Sequence, residues 1–168
     1  LKIFLNYFKE VINLKREEAQ LLSSSNNIYD ALIDDFEPEM NTEKFDKIFA
    51  NLRKNLIEIR NSIFENKKPV NELSFNFDKN LQLELAKELA NIFGYDFNIG
   101  RMDLSQHPFS TGNGNDVRIT TRVDEKDPFN CFYSTIHETG HAIYEQKIPK
   151  EFIFTPNGNG VSMGVHES

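Results

Sequence analysis

The chain holds one cysteine, Cys131, so no internal disulfide can form. That scarcity fits a reducing compartment, and a cytoplasmic location is expected. No stretch is long and apolar enough to span a membrane. The first twenty residues do not read as a secretory leader, because Lys2, Lys9, Glu10, Lys15, Arg16, Glu17 and Glu18 break up any apolar run. Positive charge is in short supply. With 19 Lys and Arg against 26 Asp and Glu, the net charge is −7, and no basic cluster stands out. Nucleic acid and anionic membrane are therefore not expected as partners. Internal repeats are absent, and glycine does not occur before Gly94.

What is present suits a globular protein: 168 residues, 39% hydrophobic and 27% charged, enough to build a core. The chain starts at Leu1 and stops at Ser168. It reads as a single partial domain, residues 1–168, of a longer protein.

The first two-thirds are helical in pattern. Leu1, Phe4, Leu5, Phe8, Val11 and Ile12 lie on one stripe of a helix over residues 1–22. "SSSNN" (Ser23–Asn27) breaks it, and a short helix at "IYDALIDDF" stops near Pro38. Residues 42–66 form the clearest helix. Phe45, Ile48, Phe49, Leu52, Leu56, Ile59 and Ile63 recur at helical spacing, Asn41 or Thr42 can cap the start, and "NKKP" ends it. Another helix covers about 78–93, with Asp78 as N-cap and Gly94 as the stop.

Beyond Gly94 the composition shifts. All four histidines, His107, His137, His141 and His166, lie there, which points to one shared site. "STGNGN" and "TPNGNG" read as Asn-Gly turns, because neither has the spacing of a phosphate-binding loop. "DVRITTRV" alternates, with Val117, Ile119, Thr121 and Val123 on one face and Asp116, Arg118, Thr120 and Arg122 on the other. That is a half-buried strand. "LSFNF" and "EFIFT" are weaker strand candidates.

"STIHETGHAIYEQ" carries the chemistry. It belongs to a helix from Asp127 to about Lys147, capped by Asp127, with Pro128 in the first turn and Pro149 after the end. Phe129, Phe132, Tyr133, Ile136, Gly140, Ile143 and Tyr144 form its expected buried stripe. Gly140 is small enough to let another segment approach. His137 and His141 stand one turn apart on the flank of that stripe, so both rings can reach one ion. Glu138 points about 100° away around the helix. It is poorly placed to share the ion and well placed to act as a base on a water beside it.

A metal site of this kind needs a third protein ligand. One class of zinc enzyme places a histidine six residues after the second. Lys147 occupies that position here, with Tyr144 where a glycine is expected, so that class is excluded. Glu145 lies too far along the same helix, and Cys131 reads as a core thiol. Glu151, His166 and Glu167 remain downstream, the last two on a possible second helix starting at Ser162. Glu167 is preferred, since a carboxylate is the more frequent partner of such a histidine pair in hydrolases.

Four stretches occur together and in order: "HPF" (His107–Phe109), "DVRIT" (Asp116–Thr120), "HETGH" (His137–His141) and "HES" (His166–Ser168). With "YDALIDDFEP", "GRMDLSQHPF" and "GHAIYEQ" around them, the chain resembles the carboxypeptidase Taq family of zinc metallocarboxypeptidases. The resemblance runs from about residue 25 to the end. It implies a mainly α, zincin-like fold with a small β-sheet beside the HExxH helix, and usually a homodimer. It also implies removal of residues from peptides with a free C-terminus. Carried over position by position, it makes His137, His141 and Glu167 the metal ligands and Glu138 the catalytic residue. The metal expected is Zn2+, with another divalent ion such as Co2+ as an alternative. The family is longer, and an arginine motif linked to the substrate carboxylate is expected beyond Ser168. The fragment alone is therefore expected to be inactive.

Three residues are weaker candidates for touching substrate. Arg118 can hold a free carboxylate, or pair with Asp116 on the strand's polar face. His107, held extended by Pro108, can donate to substrate or serve as a packing histidine. His166, beside a ligand, is read as groove lining. Two other functions are compatible with the HExxH helix: a zincin endopeptidase or aminopeptidase, and a non-catalytic helical binding module.

Overall fold

The computed structural model describes residues 2–66, 74 and 76–168. In chain order its main elements are α1 (Lys2–Leu22), α2 (Tyr29–Asp34), α3 (Thr42–Glu65), α4 (Lys79–Phe93), β1 (Met102–Leu104), β2 (Ser110–Asn113), β3 (Asp116–Thr121), α5 (Pro128–Gln146) and α6 (Met163–His166). The protein is mainly α, with one small sheet. Two compact groups emerge. One contains the described residues up to 66 with 161–166 and 168; the other contains those from 74 to 160 with 167.

In the first group, helix ends fall where the capping chemistry puts them. Asn41 caps α3 by accepting from the Lys44 amide at 2.9 Å. The start of α3 is tied to α2 through Asp30, whose Oδ1 accepts from the Thr42 amide at 2.9 Å and the Thr42 hydroxyl at 2.8 Å. Those bonds hold the Asp30 carboxyl below its ordinary range. The expected apolar stripes form on α1 and α3, yet they stay open: Phe4 is 62% exposed and Ile63 64%. Leu1 and residues 67–69 of "NKKP" lie outside the described residues.

The second group has a conventional core. Ala86 and Ala90 of α4, Tyr95, Met102 of β1, Val117 and Ile119 of β3, and Cys131 and Ala142 of α5 are all buried together. Asp78 caps α4 through the Asn80 and Leu81 amides, and Gly94 ends it with φ of +102°, a conformation that favours glycine. The buried Gln82 side chain donates to the Phe77 and Asp124 carbonyls, each at 2.8 Å, which ties α4 to the segment after β3. Gln146 at the end of α5 exchanges two 2.9 Å hydrogen bonds with the Asp96 backbone.

The sheet order is β1-β3-β2, with β1 parallel and β2 antiparallel to β3. Only β3 is evident in the alternation of apolar and polar residues. β1 and β2 have three and four residues, too few to show a period. Gly114 and Asn115 make the hairpin turn between Asn113 and its partner Asp116, so "STGNGN" is a turn preceded by a strand that the turn signal hid. "EFIFT" is not a strand: Lys150–Phe152 form a 3-10 turn. Of "LSFNF", residues 73 and 75 lie outside the described residues, and 74, 76 and 77 are not in a strand.

Two expectations about burial are corrected. The fully buried face of α5 is Pro128, Cys131, Thr135, Glu138, Thr139 and Ala142; of the expected stripe, Phe132 and Ile143 pack half-buried against the core. Tyr133 is 71% exposed and Phe129 47%. Helix and sheet meet through small and hydroxyl-bearing side chains that allow close approach, and aromatic residues are too large for that seam. Gly140 is exposed, with nothing within 4 Å of where its Cβ would be, so no segment packs there among the described residues. Thr120, expected on the solvent face of β3, is buried because the loop between β1 and β2 folds over it.

Candidate metal centre

The position of α5 follows from a chain of buried hydroxyl groups. Thr135 donates to the Thr121 hydroxyl at 2.8 Å, and Thr121 donates to the Cys131 carbonyl at 3.2 Å. Both threonines are fully buried, and every hydrogen bond among them links α5 to β3. The Cys131 thiol packs in the same seam, and burial pushes its pKa up. It is a core thiol, as its place on the helix implies.

On this helix His137 and His141 bring their Nε2 atoms to 3.1 Å, with the ring planes 82° apart. Glu167 brings Oε2 to 3.7 Å from His137 Nε2 and 3.6 Å from His141 Nε2. The three side chains form a group whose donor atoms all lie within 4.8 Å of one another. Contacts of 3.6–3.7 Å are too long for hydrogen bonds, so the carboxylate does not bond to either ring directly. The triangle has another match. A tetrahedral ion with ligand distances of ~2.0–2.2 Å separates neighbouring donor atoms by about 3.3–3.5 Å. The observed edges of 3.1, 3.6 and 3.7 Å bracket that value. Two imidazoles and one carboxylate are also the donor set that a borderline divalent ion takes. The residues therefore fit such an ion.

Glu138 is not part of the triangle. It is only 7% exposed, unusual for a carboxylate. Glu145 and Glu151 are also outside the triangle. His166 immediately precedes Glu167 on the last residue of α6, and it is not one of the three converging donors.

The other two candidates sit in the second group. Arg118 is exposed on β3 and grips Asp116, with Nε at 3.0 and 3.1 Å from the two carboxylate oxygens and Nη2 at 2.7 Å. This bond holds the Asp116 carboxyl below its ordinary range and raises the guanidinium further. His107 is exposed on the loop between β1 and β2. The structure joins two motifs that the sequence presents separately. Thr120 of "DVRIT" holds the "HPF" loop by accepting from the Phe109 amide at 3.0 Å, while its own amide donates to the Phe109 carbonyl at 2.9 Å.

A mainly helical chain with a small sheet, and with two histidines of an HExxH helix meeting a carboxylate from elsewhere in the chain, has the form of a metallopeptidase. The chain belongs to the carboxypeptidase Taq (M32) metallopeptidase family, whose sequence profile matches residues 1–168. It is 38% identical to carboxypeptidase 1 of Bacillus subtilis, a match covering 99% of this chain and 34% of the relative. It is 40% identical to thermostable carboxypeptidase 1 of Thermus thermophilus, covering 98% and 35%. The crystal structure of the M32 carboxypeptidase from Deinococcus radiodurans R1 superposes with a TM-score of 0.85 at 38% identity, over 96% of this chain and 33% of that one. The chain thus spans about a third of the length of the relatives it matches. No helix among the described residues is long and apolar enough to cross a membrane.

Proposed function

We propose that the whole protein is a metal-dependent carboxypeptidase, using zinc, or cobalt as an alternative, to release residues from peptides with a free C-terminus. The observation that carries this reading is the donor triangle of His137, His141 and Glu167 in a member of this family. A divalent metal held by these three residues supplies Lewis acidity toward water and the scissile carbonyl. The rest is done by side chains of the protein. His137 and His141 present ring nitrogens from one rigid helix, and Glu167 adds the carboxylate. Glu138 takes the proton of the attacking water and hands it to the departing amine. Its burial supports this role, because a carboxylate screened from bulk water keeps its lone pairs for one bound partner.

Substrate contact is assigned to Arg118, His107 and His166. The Arg118 guanidinium already grips one carboxylate, that of Asp116, and a peptide terminus offers it the same chemistry. The whole protein is expected to act as a homodimer in the cytoplasm, with no nucleic acid or membrane partner.

Two measurements on the whole protein test the reading. Elemental analysis should find about one tightly held divalent ion per chain. Cleavage of a free-acid peptide should far exceed cleavage of its C-terminal amide. Equal rates on the two peptides would instead indicate an endopeptidase, and absence of bound metal a binding module.

A further inference from the structure

Glu167 is the one donor of the triangle that α5 does not carry. It follows α6, a helix of four residues, far too short to be stable by itself. What holds that turn is visible in its amide hydrogen bonds. A helix leaves the amides of its first turn without partners inside the helix, and here those of Met163, Gly164 and Val165 are all met. The Ser162 hydroxyl accepts from Val165 at 3.2 Å, while the Ser162 carbonyl accepts the helix's own bond from His166 at 3.0 Å. The other two are met from far away in the sequence. The Phe36 carbonyl accepts from the Met163 amide at 3.0 Å, and the Glu37 carboxylate accepts from the Gly164 amide.

Glu37 is well braced for this. It lies in the turn just after α2, with its amide donating to the Ile33 carbonyl at 2.9 Å and its carbonyl accepting from Met40 at 3.0 Å. Pro38 restricts its backbone further. The seat around Gly164 is close: a Cβ there would come within 2.9 Å of Glu37 Oε1. "YDALIDDFEP" stands out in the sequence but suggests no chemical role by itself.

We propose that Glu37 is a positioning residue for the metal centre. It fixes the 163–166 turn through the Gly164 amide and so sets where the next residue, Glu167, presents its carboxylate. Glu37 is not a ligand itself, being absent from the donor triangle. The proposal rests on the metal-site reading above.

The test compares Glu37→Ala and Glu37→Gln in the whole protein, read by metal affinity and by the visible absorption of the cobalt-loaded form, which reports ligand geometry. Loss of a partner behind a ligand typically weakens metal binding about 10–100-fold. Glu37→Ala should show a loss of that size with an altered cobalt spectrum. Glu37→Gln keeps an acceptor oxygen and should recover most of the affinity. Where the alanine variant does not fold, Glu37→Met, similar in length but without an acceptor, replaces it. Unchanged affinity and spectrum in a folded Ala or Met variant would overturn the assignment of Glu37 alone. An unaltered protein that binds no metal would instead overturn the metal site.

Discussion

Helices α3 and α5 both repeat apolar residues every three or four positions, yet α3 buries none of its residues and α5 buries six. The six are not the ones the repeat singles out. In α3 the stripe from Phe45 to Ile63 is open among the described residues, with Leu56 at 54% exposure. In α5 Phe129 and Tyr133 are open too, Phe132 and Ile143 are only half-buried against the core, and the fully buried face is that of Cys131, Thr135, Thr139 and Ala142. Helical periodicity reports which residues share a face. It does not report which face meets a partner, because that depends on what approaches the helix. A sheet at close range selects small side chains, and it accepts the Thr121 and Thr135 hydroxyls, which satisfy one another.

The largest expected effect lies on the buried side of this comparison. Glu138→Gln removes a proton acceptor with little change of shape. Turnover of the whole protein should fall by about 10²–10⁴-fold, the usual worth of a general base, while metal content stays unchanged. Loss of metal in the variant would show that Glu138 helps build the site and does not act as the base.

A smaller effect is expected in the hydroxyl seam. Thr121→Val deprives the Thr135 hydroxyl of its acceptor and the Cys131 carbonyl of its donor, and an unmet buried group costs about 1–3 kcal/mol. The Thr121→Val, Thr135→Val pair should recover part of that loss, since both partners then leave together. Leu56→Ala on the open face of α3 should change stability by no more than about 0.5 kcal/mol in the 168-residue chain. Urea denaturation midpoints compare all three. A core-sized cost for Leu56→Ala would erase the difference between the two helices.

The smallest effect concerns the exposed Asp116–Arg118 pair. Asp116→Asn should leave the midpoint at neutral pH almost unchanged, as expected for a solvent-facing pair. The sign follows from the lowered carboxyl pKa of the folded state. The pair's contribution is present above the ordinary Asp range and fades as the pH falls through the lowered value. Midpoints of the two proteins measured from neutral to acidic pH should therefore converge at the acid end.

Much of the fold was legible in particular residues. Asn41, Asp78, Gly94, Asp127 and Pro128 mark helix ends that the structure reproduces, since capping and backbone freedom are local properties. Strand β3 was legible because six residues suffice to show alternation; β1 and β2 were not, because their pairing is supplied by β3. In the site, His137 and His141 followed from helical spacing alone. Glu167 could be preferred over Glu151 and His166 only on donor chemistry and the resemblance, since its approach depends on how a distant segment returns. Glu37 had no readable signal, because its partner is a backbone amide 127 residues away.

The sequence by itself determined the helices and their caps, the strand that centres the sheet, and the pair of histidines one turn apart, because each depends on neighbours within a few residues. Only the tertiary structure decided which face of α5 is buried, that Thr120 secures the "HPF" loop, and where Glu167 comes to rest. Those outcomes rest on contacts between segments far apart in the chain, where packing and hydrogen bonding choose among faces that local periodicity leaves equivalent.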